Sequence, residues 1–389
     1  MKPLSQLLGS VPPSATVAVA DRARALKAEG RDIIALAGGD PDFNTPCHIV
    51  ESAVAALHGG QTHYPPSRGT LSLRRAIASK LRRDNQVQVD PERQVLVSPG
   101  GKFALYAVLA ALVNPGDEIL IFDPYWVSYP PMVTLVGGVP VSVPLSAQDG
   151  FQIRKSNLEA RLSPRTKAIL LNTPNNPTGR VLSGAEAEII RRIALDYDLY
   201  VIADEVYEAL IFEGRHISMA ALDGMAGRTV TLNALSKTYA MTGWRLGWAA
   251  GSQGIIDLAA KFQSQSVTSA ASFSMPAAET ALSGPQDEVA RMRRAYQERR
   301  DYMVAALNAI PGVECDSPQG AFYLFVRFPG LKTGDSLQIA EILLEEAQVA
   351  ATPGIAFGRA GEGHVRFSIA TAMADLIRAV ARIEKLMAG

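Results

Sequence analysis

Residues 167–207 read KAILLNTPNNPTGRVLSGAEAEIIRRIALDYDLYVIADEVY. Lys167 to Leu171 and Leu199 to Ala203 are short, β-rich and apolar without alternation, the pattern of strands covered on both faces. Between them Gly184 to Tyr197 has the apolar spacing of a helix, and Asn176-Pro177-Thr178-Gly179 has the composition of a turn. A strand, a helix and a strand of these lengths predict a parallel βαβ unit. The same texture runs outward from about residue 94 to 251, with further strand runs at Gln94–Ser98, Glu118–Phe122, Val139–Val143, Thr229–Asn233 and Leu246–Ala250 and a helix over Lys102–Leu112. The expected fold class is therefore α/β, built on a mostly parallel seven-stranded sheet covered by helices.

After Gly284-Pro285 the texture changes. A long charged helix over Asp287–Ala309 precedes a strand over Ala321–Val326, a helix near Ser336–Glu346 and a last helix from Ala374. These elements predict a smaller α+β domain. The segment up to Pro46 carries one amphipathic helix, Val17–Glu29, and is too short to fold alone, so it is expected to pack on that domain. The expected division is a large domain over 47–285 and a small one built from 1–46 and 286–389.

Lys plus Arg and Asp plus Glu are 38 each, so no excess positive field favours nucleic acid or an anionic membrane as a partner. Hydrophobic residues at 48% make a disordered chain untenable. The two cysteines, Cys47 and Cys315, show neither disulfide nor zinc-finger spacing and fit a reducing cytoplasm. The start MKPLSQLLGSVPPSA lacks the unbroken apolar stretch of a signal peptide, and the run Leu105–Val113 is far below a membrane span. HExxH, GxxxxGK[ST] and GxGxxG are all absent, which lowers zinc hydrolases, P-loop NTPases and simple dinucleotide dehydrogenases, and no metal is expected.

In open parallel sheets ligands bind beyond the carboxyl ends of the strands. Those positions are polar here. Gly100-Gly101-Lys102 opens a helix after a strand, where backbone N–H groups and a positive dipole end suit a phosphate, although a tight turn would look the same. Arg245 could grip the same phosphate, or be an ordinary surface cation. Asp204 could hold a ring nitrogen protonated, or cap a turn. Trp126 and Tyr207 could be ring contacts or core aromatics. Lys237 ends an apolar run inside Ser-Lys-Thr-Tyr-Ala-Met-Thr-Gly-Trp, where burial would lower its pKa toward that of a usable nucleophile. A phosphate cradle, a stacking aromatic, an acid, a phenol and a lysine together match the demands of pyridoxal 5′-phosphate.

On these residues, with Gly38-Gly39-Asp40-Pro41-Asp42-Phe43, Thr62-His63-Tyr64 and His364-Val365-Arg366, the chain resembles nearly end to end the class I aminotransferases of pyridoxal-phosphate fold type I. It is most similar to the bacterial aspartate and prephenate enzymes. The resemblance implies that Lys237 is the Schiff-base lysine and proton carrier, that Asp204 pairs with the pyridine nitrogen, that Asn176 and Tyr207 bond the ring oxygen, and that Trp126 stacks on the ring. It places Gly100, Gly101, Lys102 and Arg245 around the phosphate, joined by Tyr64 from the other subunit of a homodimer. Arg366 and Gly39 would hold the substrate α-carboxylate beside Trp126 and Asn176, while Lys102 and Thr16 would meet a distal carboxylate. Ala234 departs from relatives that carry a phosphate-binding Ser three residues before the lysine.

The implied reaction is amino transfer from an amino acid, aspartate or glutamate by preference, to a 2-oxo acid. Aromatic or prephenate transamination and a carbon–sulfur β-lyase on the same scaffold are the alternatives within the enzyme class. A ligand-sensing module of a transcription regulator is the alternative outside it, but would call for a DNA-binding domain and a basic patch.

Overall fold

Seven strands form the central sheet of the computed structural model, which describes residues 2–13 and 15–389. In chain order they are β1 (Val95–Ser98), β2 (Glu118–Asp123), β3 (Val139–Pro144), β4 (Thr166–Asn172), β5 (Tyr200–Asp204), β6 (Thr229–Ala234) and β7 (Gly247–Ala250). Their spatial order is β1-β7-β6-β5-β4-β2-β3. Six run in one direction, and β7 alone is antiparallel, to both of its neighbours β6 and β1. A parallel return needs a crossover of a dozen or more residues, usually a helix. The connection from β6 to β7 instead contains only the single helical turn Leu235–Thr238 and a loop, so the chain comes back antiparallel.

Every residue of β1, β2, β6 and β7 is buried, as continuous apolar runs require of a sheet covered on both faces. The run at Val139 differs, since most of β3 is exposed or half-buried. It is the edge strand, where Pro140 and Pro144, which have no N–H to donate, cost nothing to the ladder. Helices Gly101–Leu112 and Gln253–Ser266 pack on each other and bury Leu105, Val108 and Ile256 against one face of the sheet. Helix Gly184–Asp196 buries Ile190 and Ile193 on the other face.

Beyond residue 286, β8 (Tyr323–Arg327) and β9 (His364–Ser368) form the centre of a four-stranded antiparallel sheet. Helices Asp287–Asn308 and Met373–Met387 pack together beside it. The N-terminal segment joins this end of the molecule: Ile34–Ala35 pairs in parallel with Val349–Ala350, and helix Ala15–Ala28 buries Ala23 and Leu26 against Ala350. Among the described residues no helix is long and apolar enough to cross a membrane.

Candidate active site

The carboxyl ends of β1, β4, β5 and β6 open on one crevice, which the N-terminal segment and the small sheet close from the other side. After β1, Gly100 caps the helix Gly101–Leu112 at φ +86°, a left-handed conformation that favours glycine. A Cβ there would also lie 2.7 Å from Nη2 of Arg245, so the bare backbone is what lets that guanidinium approach the helix N-terminus. Arg245 is steadied by donating to the Thr242 carbonyl at 2.7 Å. A Cβ on Gly247 would meet the Gly101 nitrogen at 2.5 Å, so a second glycine keeps this corner close-packed. Backbone N–H groups, a helix N-terminus and a forked cation form an anion cradle of phosphate chemistry.

Asp204, the last residue of β5, lies partly buried in the crevice. One carboxylate oxygen accepts from the Tyr129 hydroxyl at 2.8 Å and the other from the Val206 N–H at 3.3 Å. Burial raises its pKa to about 6 against the pull of those two donors. Asn172 donates to the Asp204 carbonyl at 3.0 Å and accepts from the Asn176 N–H at 2.8 Å, which locks the turn after β4 onto the end of β5. Asn176 is buried, and its side-chain oxygen accepts from Arg366 at 2.9 Å.

Lys237 sits on the single turn after β6, and its Nζ donates to the Gly39 carbonyl at 2.5 Å. Burial lowers its pKa to about 8; Asp40 works against the shift and Arg366 and Arg245 add to it. About a tenth of it is thus free amine at pH 7, far more than an exposed lysine offers, as a carbonyl-reactive lysine requires. The Lys102 ammonium lies 4.8 Å from the centre of the Trp126 ring, and its pKa is lowered by desolvation first and by the Arg245 charge second. Arg366, on β9, is buried and has no carboxylate partner among the described residues; its second nitrogen donates to the Ala37 carbonyl at 2.7 Å. A buried guanidinium without an anion is built to receive one.

The structure brings together Gly39, Gly101, Lys102, Trp126, Asn176, Asp204, Tyr207, Lys237, Arg245 and Arg366 around the crevice, with Gly100 at its corner. Tyr64 does not line it and is 88% exposed. The side chain of Thr16 lies outside the described ones. Ser236, quoted with Lys237 but given no role, also lines it, and among the lining residues that the sequence reading did not single out are Tyr129 and Tyr323. Nothing local marks the two tyrosines.

The chain matches the profile of the class I and II aminotransferases over residues 31–383. The chain belongs to that family. Among its relatives are an enzyme of Cereibacter sphaeroides named aspartate/prephenate aminotransferase, 42% identical with 99% of each chain covered, and aromatic-amino-acid aminotransferase 2 of Thermococcus litoralis, 42% identical over 99% of this chain and 98% of that one. The solved aspartate aminotransferase of Thermus thermophilus with maleate superposes at a TM-score of 0.94, 41% identical over 99% of this chain and 100% of that one. The fold is that of the pyridoxal-phosphate aminotransferases, and the chain is a pyridoxal-phosphate-dependent transaminase. The residues present fit the cofactor. The glycine corner with Arg245 suits its phosphate, Asp204 its ring nitrogen, Asn176 and Tyr207 its ring oxygen, and Lys237 its aldehyde.

Proposed function

We propose that this aminotransferase takes dicarboxylic amino acids, aspartate and glutamate, as its preferred donors. When bound, the cofactor supplies an aldehyde to which amines add and a ring that withdraws the electron pair left as the substrate Cα loses its proton. Lys237 would hold that aldehyde at rest and, once displaced by the substrate amine, would take the Cα proton on its freed Nζ. Asp204 keeps negative charge against the ring nitrogen, and Tyr207 and Asn176 hold the ring oxygen. Arg366 takes the α-carboxylate in a bidentate grip, with the Gly39 backbone beside it, and so fixes which Cα bond faces the lysine.

The observation that carries the substrate reading is that, besides Lys237, Arg245 and the Asp21-paired Arg24, the crevice holds two cations with no carboxylate partner among the described residues, Arg366 on β9 and the Lys102 ammonium over Trp126. Two carboxylates of one substrate can each meet one. Helix Ala15–Ala28 contributes Val17, Ala20 and Arg24 to the same wall. Lys102→Ala is expected to lower kcat/KM for aspartate about ten- to hundredfold while sparing phenylalanine, measured at saturating cofactor. An equal loss for both donors would mean that Lys102 serves the phosphate alone. The apolar Val17 and Ala20 favour a second reading, aromatic or prephenate substrates, which the same comparison reports as a kcat/KM for phenylalanine that rivals aspartate.

The chain acts, in this proposal, as a cytoplasmic homodimer that shares its active sites. Support comes from Tyr64, which is exposed and does not line its own crevice, and from Val50, Val54 and Leu57, an exposed apolar stripe on helix Cys47–His58 at helical spacing. A second copy laid on that stripe would bring Tyr64 to the partner's phosphate site. Mixing inactive Lys237→Ala with weakened Tyr64→Ala subunits is expected to restore activity, because one site of each heterodimer then carries neither lesion. Heterodimers without recovery would place Tyr64 in its own subunit's service.

A further inference from the structure

Tyr323 lies in β8, away from the strand-end turns that build the crevice, yet it touches both halves of the site. Its hydroxyl is 2.9 Å from that of Tyr207. Its ring lies beneath Arg366, with the guanidinium carbon 4.2 Å from the ring centre. A Cβ on Gly39 would fall 2.5 Å from its hydroxyl oxygen, so the glycine leaves room for it. β8 pairs antiparallel with β9, and Arg366 stands opposite Phe325, which makes Tyr323 its diagonal neighbour on the same face. Tyr323 is 2% exposed.

Arg366 is equally buried, and its Nε finds no partner among the described residues. Among the described residues, two hydrogen bonds and the aromatic faces of Tyr323 and Phe357 hold the cation in place. The two phenols share one hydrogen bond, which either could donate. If the Tyr207 proton is aimed at the cofactor's ring oxygen, the proton between the phenols must come from Tyr323. Such a chain strengthens Tyr207 as a donor.

We propose that Tyr323 is a positioning residue with two separable jobs: its ring is the floor that aims Arg366 at the substrate carboxylate, and its hydroxyl donates to Tyr207. The proposal rests on the transaminase reading. Tyr323→Phe removes the hydroxyl and keeps the ring, whereas Tyr323→Met removes hydroxyl and aromatic face together and leaves an apolar filler, so the difference between the two variants reports the ring. With Tyr323→Phe, kcat is expected to fall about tenfold with KM for the amino acid nearly unchanged. The pH midpoint of the bound-cofactor absorbance is expected to move upward, because a weaker donor leaves more negative charge on the ring oxygen and its neighbouring proton is held more tightly. With Tyr323→Met, KM and the Kd of succinate, a dicarboxylate that cannot react, are both expected to rise about tenfold on the holoenzyme. Unchanged kcat and midpoint in Tyr323→Phe would overturn the hydroxyl's job. Unchanged succinate affinity in a folded Tyr323→Met would overturn the floor, and should that variant not fold, a tenfold weaker succinate affinity in Tyr323→Phe would overturn it by assigning the grip to the hydroxyl. Wild-type holoenzyme that turned over no amino acid would instead sink the transaminase reading, while the succinate and absorbance measurements still judged Tyr323.

Discussion

Asp204 and Glu205 are consecutive carboxylates at the end of β5, and extended backbone sends them to opposite sides. Asp204 faces the crevice, held by two neutral donors and by no ion pair among the described residues. Glu205 is fully buried in a polar network that faces away. One of its oxygens accepts from Ser218 at 2.6 Å and from Asn85 at 3.1 Å, and the His216 Nε2 lies 2.9 Å from it as an ion-pair partner. Glu208 joins the network through Lys80, through Asn85 at 2.5 Å and through Asn233 at 2.6 Å. Two acids, an ammonium and an imidazole thus tie the helix Leu71–Asn85 and β6 to the turn after β5. A carboxylate whose neighbours supply cations is there to hold the fold, whereas one left with neutral donors keeps its charge for a ligand.

The largest effect is expected on the crevice side. Lys237→Ala should lower kcat by about a thousandfold or more, through loss of the carbonyl-binding amine and proton carrier together, with the melting temperature of the cofactor-free chain maintained. Near-native turnover in the purified variant would remove Lys237 from the chemistry.

The carboxylates themselves should part company in a matched pair. Asp204→Asn is expected to lower kcat about a hundredfold or more with no loss of stability, since it removes a charge whose burial the cofactor-free fold must bear. Glu205→Gln is expected to cost about 3–5 kcal/mol in urea unfolding, by taking the nearest carboxylate from the buried His216 imidazole, with kcat per folded site changed only a few-fold. If both variants lose activity and stability in parallel, the division between the two sides is wrong.

The smallest effect concerns pH. Burial would lower the pKa of His216, but the Glu205 and Glu208 carboxylates outweigh it and hold the imidazole above its ordinary 6.5. A raised base stabilises the fold fully below the unfolded value and loses that contribution as pH rises through the folded one. His216→Gln should therefore be less stable than wild type by about 1–3 kcal/mol near pH 6, with the gap shrinking as pH rises past the raised value. A gap that widened with pH would mean that the imidazole is neutral in the network.

Much of this division was written in local sequence. The strand runs at residues 94–98, 118–122, 167–171, 199–203, 229–233 and 246–250 fall within a residue or two of β1, β2, β4, β5, β6 and β7, because doubly covered strands need unbroken apolar runs. The helices Cys47–His58, Gln253–Ser266 and Ser274–Ser283 were less legible, and the antiparallel course of β7 follows from a connection whose handedness no local pattern encodes. Asp204 stood out because a strand end is where parallel sheets do chemistry. Glu205 looked the same on paper, since its partners Asn85, His216 and Ser218 come from distant segments.

By itself the sequence determined which residue types stand at each strand end: a glycine pair where a positive φ is needed, an acid after β5, a lysine after β6. These are local properties of short segments, and local sterics and burial dictate them. Tertiary packing alone decided that the Tyr129 hydroxyl would reach Asp204 across 75 positions, that Tyr323 would lie beneath Arg366, and that two adjacent carboxylates would serve opposite ends. Each of those outcomes depends on where a remote chain segment comes to rest, and long-range packing sets that position only when the whole core closes.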